Sequence, residues 1–177
     1  MRLSLHIKKV SDLAVIPKYQ TEGSAGFDIS AVEELTIAPG QSRLIKTGLS
    51  VAVPPGFELQ IRSRSGLAAK HMVSVLNSPG TIDSDYRSEV GVILMNSSDV
   101  VFVVHVGDRI AQGVVAAVEQ VSFYEVDELD ETTRNGGFGS TGVSGAAKEP
   151  QTFPQRFAED TKNAIGQIMG NATTNKY

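Results

Sequence analysis

Gly80-Thr-Ile-Asp83-Ser-Asp-Tyr86-Arg-Ser-Glu89 is the stretch that decides how this chain is read. Two apolar runs flank it, Met72 to Leu76 and Val90 to Met95. Both are rich in β-branched residues, so the pattern predicts strands. The polar segment between them, opened by Pro79-Gly80, is then predicted to be a hairpin or wide loop. It carries Asp83, Asp85 and Tyr86 close together. A polar turn held by two apolar strands is a rigid mount for a general base, with Asp83 in that role and Tyr86 as a wall of the pocket. The same residues also make an ordinary hairpin, because Asp and Ser are common turn formers.

Working outward, Leu3 to Val10 alternates apolar and polar residues and predicts a half-buried strand. Gly23 to Ala31 sets two glycines and small residues around a single acid, Asp28. Small residues of this kind let another backbone or a ligand come close. Leu35 to Ile37, Arg43 to Val53 (broken by Gly48) and Phe57 to Ile61 predict further strands, separated by Ala38-Pro39-Gly40 and Pro54-Pro55-Gly56 turns. Arg62-Ser63-Arg64-Ser65-Gly66 ends a strand and leads into a short helix-like stretch, Leu67 to His71. Amide groups at a helix start, with an arginine beside them, favour anions. A solvated basic strand end fits the same residues. Val100 to Val106, Ile110 to Val118 and Val121 to Val126 predict the last strands. Gln112 is the one large polar residue inside its run, turned either to solvent or to a ligand. Short strands, Pro-Gly turns and one short helix together predict an all-β fold.

The chain has 177 residues, enough for one domain with a real core plus a tail. Its composition is that of a soluble globular protein, and its formal charge of −4 argues against a broad nucleic-acid-binding surface. A few local arginines still suffice for a small anion. Without cysteine there is neither a disulfide nor a thiolate metal site. His6, His71 and His105 are scattered, which disfavours a His-based zinc site. No leader pattern or membrane-length apolar run is seen, so the expected location is the cytoplasm. From Asp127 the composition turns acidic and then glycine-rich (Arg134 to Gly142), a segment suited to a flexible linker or to an arm that orders over a ligand. The expected divisions are a β core over 1–126, an acidic linker and glycine-rich arm over 127–142, and an extension over 143–177. Pro154 to Met169 has a helical spacing that could dock on a protein partner.

The order of these segments is more specific than any one of them. Ala25-Gly-Phe-Asp28, Arg64-Ser65-Gly66, Gly80-Thr-Ile-Asp83-Ser-Asp-Tyr86, Arg109-Ile-Ala-Gln112 and Gly137-Phe138-Gly139-Ser140-Thr141-Gly142 strongly resemble the five ordered motifs of the trimeric dUTP diphosphatases (dUTPases). The likeness runs over roughly residues 3 to 142. It implies a distorted jelly-roll (β-clip) subunit and a homotrimer with three composite sites. In each, motifs one, two and four would come from one chain, the third from a second and the glycine-rich arm from the third.

The chemistry the resemblance implies is Mg²⁺-dependent hydrolysis of dUTP to dUMP and pyrophosphate. That reaction limits uracil incorporation into DNA and supplies dUMP for thymidylate synthesis. Asp83 would orient the water that attacks the α-phosphorus and accept its proton. Mg²⁺ would be held mainly by the triphosphate, with Asp28 reaching its waters as an outer-shell partner. Arg64, Ser65, Gly66 and Gln112 would bind the phosphates. Asn77, Gly80 and Ile82, with their backbone neighbours, would read uracil, and Tyr86 would pack on the deoxyribose. Phe138 would stack on the base while Arg134, Gly139, Ser140 and Thr141 close over the γ-phosphate.

This chain departs from the family pattern at Ser88, where glycine is usual, and in a fifth motif one residue shorter. The departure at Ser88 is expected to be mild, and the shortened motif puts the role of Arg134 in doubt. Two other readings compete. One is a dCTP deaminase of the same fold, for which Glu89 is the nearby acid. The other is a regulatory binding protein engaging a partner through the tail.

Overall fold

The computed structural model describes residues 3–133 and Gly136. Contacts divide the chain between Phe123 and Tyr124. The first unit holds ten strands and one helix: β1 (His6–Lys9), β2 (Phe27–Ser30), β3 (Leu35–Ile37), β4 (Ser42–Ala52), β5 (Phe57–Arg62), α1 (Ser65–His71), β6 (Val73–Val75), β7 (Gly80–Ile82), β8 (Glu89–Asn96), β9 (Phe102–Val104) and β10 (Arg109–Ala117). The described part of the second unit, 124–133 and Gly136, carries neither helix nor strand. Among the described residues no helix is long and apolar enough to cross a membrane.

The strands form two four-stranded antiparallel sheets, β1-β4-β8-β6 and β2-β10-β5-β7, with β3 and β9 as a separate pair. This is the expected all-β jelly roll. Alternation explains the layering: β5 buries Leu59 and Ile61 and turns Glu58, Gln60 and Arg62 outward, while β8 buries Val90, Val92 and Leu94. Phe27 and Ile29 of β2, Ile45 of β4 and Ala111 of β10 join the same core. Each large aliphatic side chain buried this way contributes about 1.5–3 kcal/mol.

The stretch from Gly80 to Glu89 is not the simple hairpin its flanks predict. β6 and β8 do pair, Val75 opposite Leu94. Between them, however, the chain crosses to the other sheet, where β7 pairs with β5, Ile61 opposite Gly80. The apolar flanks could not reveal this, because β7 has only three residues and one large apolar side chain, Ile82.

Other elements are shorter than their patterns. β1 covers four residues and is mostly exposed. β9 covers three, matching its three-residue partner β3, and leaves Val100, Val101 and Val106 exposed. Val121 to Val126 is not a strand. β10 ends at Ala117, where its partner β5 begins at Phe57; the Val118 N–H still donates to the Gly56 carbonyl at 2.9 Å, and past it the Pro54-Pro55-Gly56 turn leaves β10 no partner strand among the described residues. The helix starts two residues earlier than its apolar pattern and ends at Met72, whose left-handed backbone (φ 53°) caps it.

β4 is continuous but irregular between Lys46 and Ser50. Gly48 sits there at φ 65°, and a Cβ on it would fall 2.8 Å from that of Ala14, so both backbone and space require glycine. The groups freed by the irregularity are met by side chains: the Gly48 N–H donates to Glu89 Oε1 at 2.8 Å, and the Thr47 hydroxyl donates to the Val90 carbonyl at 2.6 Å.

Asn96 closes the barrel end of β8. It is fully buried, its Nδ2 donates to the carbonyls of Ile37 and Val100, and its Oδ1 accepts from the Ser98 N–H and hydroxyl. Asn96→Ala takes the acceptor from the Ser98 N–H and the side-chain donor from the Ile37 carbonyl, while the Val100 carbonyl keeps the Ser98 hydroxyl at 3.0 Å, and should cost about 3 kcal/mol. Urea unfolding at fixed protein concentration reads this, and a loss below about 1 kcal/mol would show that water replaces the amide.

Candidate functional site

β10 lies between β2 and β5, and its register sets Gln112 opposite both Asp28 and Arg62. Directly opposed residues in a sheet project to the same face. Asp28, Gln112 and Arg62 therefore share the outer face of this sheet, the face away from Phe27, Ala111 and Ile61.

Asp28 is the hub. Its Oδ1 forms an ion pair with Arg64 Nε at 3.0 Å, and its Oδ2 accepts a hydrogen bond from an Arg109 guanidinium nitrogen at 3.1 Å. Arg64 also donates to the Arg109 carbonyl at 2.8 Å. Gln112 Nε2 donates to the Ser63 carbonyl at 2.9 Å. Gln112 is thus turned neither to the core nor freely to solvent but held across the strand end beside the two arginines. Arg109, quoted in the sequence motif but given no site role there, is the residue that sequence reasoning missed. Its signal was its place three residues before Gln112 at a strand start.

Ser65 and Gly66 open α1 and are exposed. No side chain caps the helix start. A Cβ on Gly66 would meet nothing within 4 Å, and its φ is not in the left-handed region. Neither packing nor backbone within the chain calls for glycine there, whereas a ligand close to the backbone would. Two guanidiniums, an amide and uncapped N–H groups make a surface fitted to a polyanion.

The second group lies on the segment 77–86. Asn77 is exposed, and its Nδ2 would lie 3.2 Å from a Cβ on Gly80. β7 is the edge of its sheet, so one side of its backbone is not paired with β5. Ile82 packs on the core. Tyr86 closes a turn with its N–H donating to the Asp83 carbonyl at 3.2 Å, and its hydroxyl donates to the Glu89 carbonyl at 2.8 Å. Asp83 is exposed and lines a cleft of about 610 Å³ with Glu58, Thr81, Ser84 and Asp85. Glu89, the acid of the deaminase reading, is engaged by the Gly48 amide. Ser88 is not in the left-handed region, so the serine fits there without backbone strain.

The chain does not bring its two groups together. β2 and β7 are three strand spacings apart, and extending the register sets Asp83 beside Glu58, four residues along β5 from Arg62. That puts Asp28 and Asp83 about 20 Å apart. Among the described residues, no group of three or more His, Asp and Glu could hold a metal ion. Asp28 still has acceptor lone pairs beyond the two in use, which suits a metal's water better than the metal itself. Arg134, Phe138, Gly139, Ser140, Thr141 and the predicted helix over 154–169 lie outside the described residues.

A family model described as dUTPase matches residues 12–142. A deoxyuridine 5'-triphosphate nucleotidohydrolase of Helicobacter pylori (strain P12) is 58% identical over 145 residues, spanning 81% of this chain and 100% of that protein. The protein of the same name from Picosynechococcus sp. is 55% identical over 142 residues, spanning 80% of this chain and 100% of that protein. Among solved structures, the dUTPase of Staphylococcus bacteriophage 80alpha with dUPNHPP superposes with a TM-score of 0.72 at 25% identity, over 79% of this chain and 99% of that one. A mutant dUTPase from phage phi11 of S. aureus, described with a structural Mg(II) ion, has a TM-score of 0.67 at 22% identity, over 72% of this chain and 99% of that one.

The two ion pairs of Asp28 differ in shielding. The side chain of Arg64 is 25% exposed and that of Arg109 53%. Double-mutant cycles with Asp28→Ala should give a coupling of about 1–2 kcal/mol for Arg64 and about 0.5 kcal/mol for Arg109. Only the second should vanish in molar salt. Equal couplings would show that exposure does not set their strength.

Proposed function

The chain belongs to the dUTPase family, and from that premise we propose that it hydrolyses dUTP to dUMP and pyrophosphate by attack of water on the α-phosphorus. The observation that carries this reading is the gathering of Arg64, Arg109 and Gln112 at the open start of α1. A triphosphate carries several negative charges, and this surface offers guanidinium, amide and backbone donors to receive them. Arg64, Ser65, Gly66 and Gln112 hold the phosphate chain. Asp28 orients the arginines and would reach the waters of a Mg²⁺ ion that the triphosphate would mainly hold. When bound, Mg²⁺ offsets the charge that builds on the departing pyrophosphate.

Asp83 orients the attacking water and takes its proton, a role that requires it within about 3 Å of that water. A separation of about 20 Å from Asp28 rules this out within one chain. The reading is therefore a homotrimer whose sites each join the Asp28 group of one chain to the Asp83 group of another. Closed rings of three arise when one surface patch meets a different patch on its neighbour.

The unpaired edge of β7 offers backbone donors and acceptors to the N3–H and O4 of uracil, with Asn77 adding a bond. Gly80 keeps this edge close to the base, and Ile82 backs it from the core. Tyr86, tied through its hydroxyl, is a fixed wall that leaves no room for a 2′-hydroxyl. Phe138, with Arg134, Gly139, Ser140 and Thr141, closes the site over the base and the γ-phosphate. Such an enzyme works on the cytoplasmic nucleotide pool. No observation favours the deaminase reading, because Glu89 is held by the Gly48 amide.

Asp83→Asn should lower kcat for dUTP by two or more orders of magnitude. Its affinity for the α,β-imido analogue of dUTP should stay within about threefold, and turnover equal to the parent's would remove Asp83 from the role of base. A second test addresses the shared site. Inactive Asp83→Asn and Arg64→Ala chains, refolded together in equal amounts, should recover about a quarter of parental activity, because random assembly pairs an intact Arg64 with a neighbour's intact Asp83 that often. No recovery would show that each chain carries a whole site.

A further inference from the structure

Gly26 lies two residues before Asp28, opposite Val114 in the continued register of β2 and β10. It is therefore the diagonal neighbour of Gln112 on the outer face of the sheet. Its φ is not in the left-handed region, so the backbone does not require glycine there. Space does. A Cβ at Gly26 would lie 2.7 Å from Gln112 Oε1, 3.3 Å from the Gly113 carbonyl and 3.3 Å from Val114 Cγ2. The nearest of these is the end of a flexible side chain, so an alanine would displace the Gln112 amide before it moved the strand. That amide is otherwise fixed at its far end by the bond from Nε2 to the Ser63 carbonyl. It lies flat across the sheet, from the lead-in of α1 to the space above Gly26.

We propose that Gly26 is a positioning residue: its missing side chain is the bed on which the Gln112 carboxamide lies, aimed at the phosphate chain. The proposal rests on the reading above that Gln112 contacts the phosphates. A hydrogen bond of this kind gains its value from a donor already aimed, because an amide free to rotate must be ordered when substrate binds. Gly26 acts by exclusion, leaving Gln112 a single place to lie. Alanine would fill that place and push the amide off the Ser63 carbonyl.

The test is a cycle of four proteins: the parent, Gly26→Ala, Gln112→Ala and the double variant. Each is measured for kcat/KM on dUTP with Mg²⁺, for affinity toward the α,β-imido analogue, and for thermal unfolding. Gln112→Ala should lose about tenfold to a hundredfold in kcat/KM, the range of one hydrogen bond to a charged group. Gly26→Ala should lose within about threefold of the same amount and weaken the analogue by the same factor, and the double variant should be no worse than Gln112→Ala. Its melting temperature should lie above that of Gly26→Ala, because the colliding amide is gone. If Gln112→Ala loses activity while Gly26→Ala keeps it, or if the two losses multiply in the double variant, the proposal is wrong and the phosphate-binding reading stands. If Gln112→Ala keeps full activity, the reading of Gln112 fails first. Should Gly26→Ala not fold, folding of the double variant supports the collision, and failure of both overturns it.

Discussion

The register of β10 between β2 and β5 is the constraint on which the rest depends. It sets Gln112 opposite Asp28 on one side and Arg62 on the other. A slip of one residue on either side would turn Gln112 into the space now filled by Phe27, Ile61 and Leu59. Burying an unpaired amide there would cost several kcal/mol, so the core that holds the sheet together also aims its polar face. Gly113 contributes to this: a Cβ on it would strike the Phe27 ring at 2.5 Å. The core ring and the outward amide are thus fixed by neighbouring positions of one strand.

On that face the charge is arranged around one carboxylate. Asp28 uses both oxygens on two arginines. A lone carboxylate among phosphates would repel them, whereas one held between two guanidiniums leaves the group net positive. The same arrangement limits what Asp28 can do for a metal. It has lone pairs left for a bound water but stands in an unfavourable place to grip a dication directly.

β7 carries the opposite design. It is short, lies at an edge and is anchored by Ile82, with Thr81 exposed on its other face. Edge strands commonly invite pairing with another chain. Here the polar turn that follows, pinned by the Tyr86 hydroxyl and by Glu89 on the Gly48 amide, fixes where that edge ends. The irregularity in β4 at Gly48 therefore supports the turn that carries Asp83, although the two lie 35 residues apart in the chain. About 20 Å between the Asp28 group and Asp83 is the consequence of placing one on each margin of the same sheet.

Alternation of apolar and polar residues marked β5, and apolar runs rich in β-branched residues marked β8 and β10 and with them the all-β class, because each strand keeps an apolar face in the core. Asp28, Arg64 to Gly66, Asp83, Tyr86 and Gln112 could be named as candidates from the sequence because short runs of neighbours recur there in a specific order. What could not be read there depends on partners distant in the chain. The crossing of β7 to the second sheet, the three-residue extent of β9 and the lack of a strand over 121–126 follow from which edges are open, and an edge is open only once the other strands are laid down. The direction of Gln112, the part played by Arg109 and the distance from Asp28 to Asp83 came from the tertiary structure as well. Hydrogen-bond partners and strand spacings are properties of pairs, and sequence periodicity describes one strand at a time.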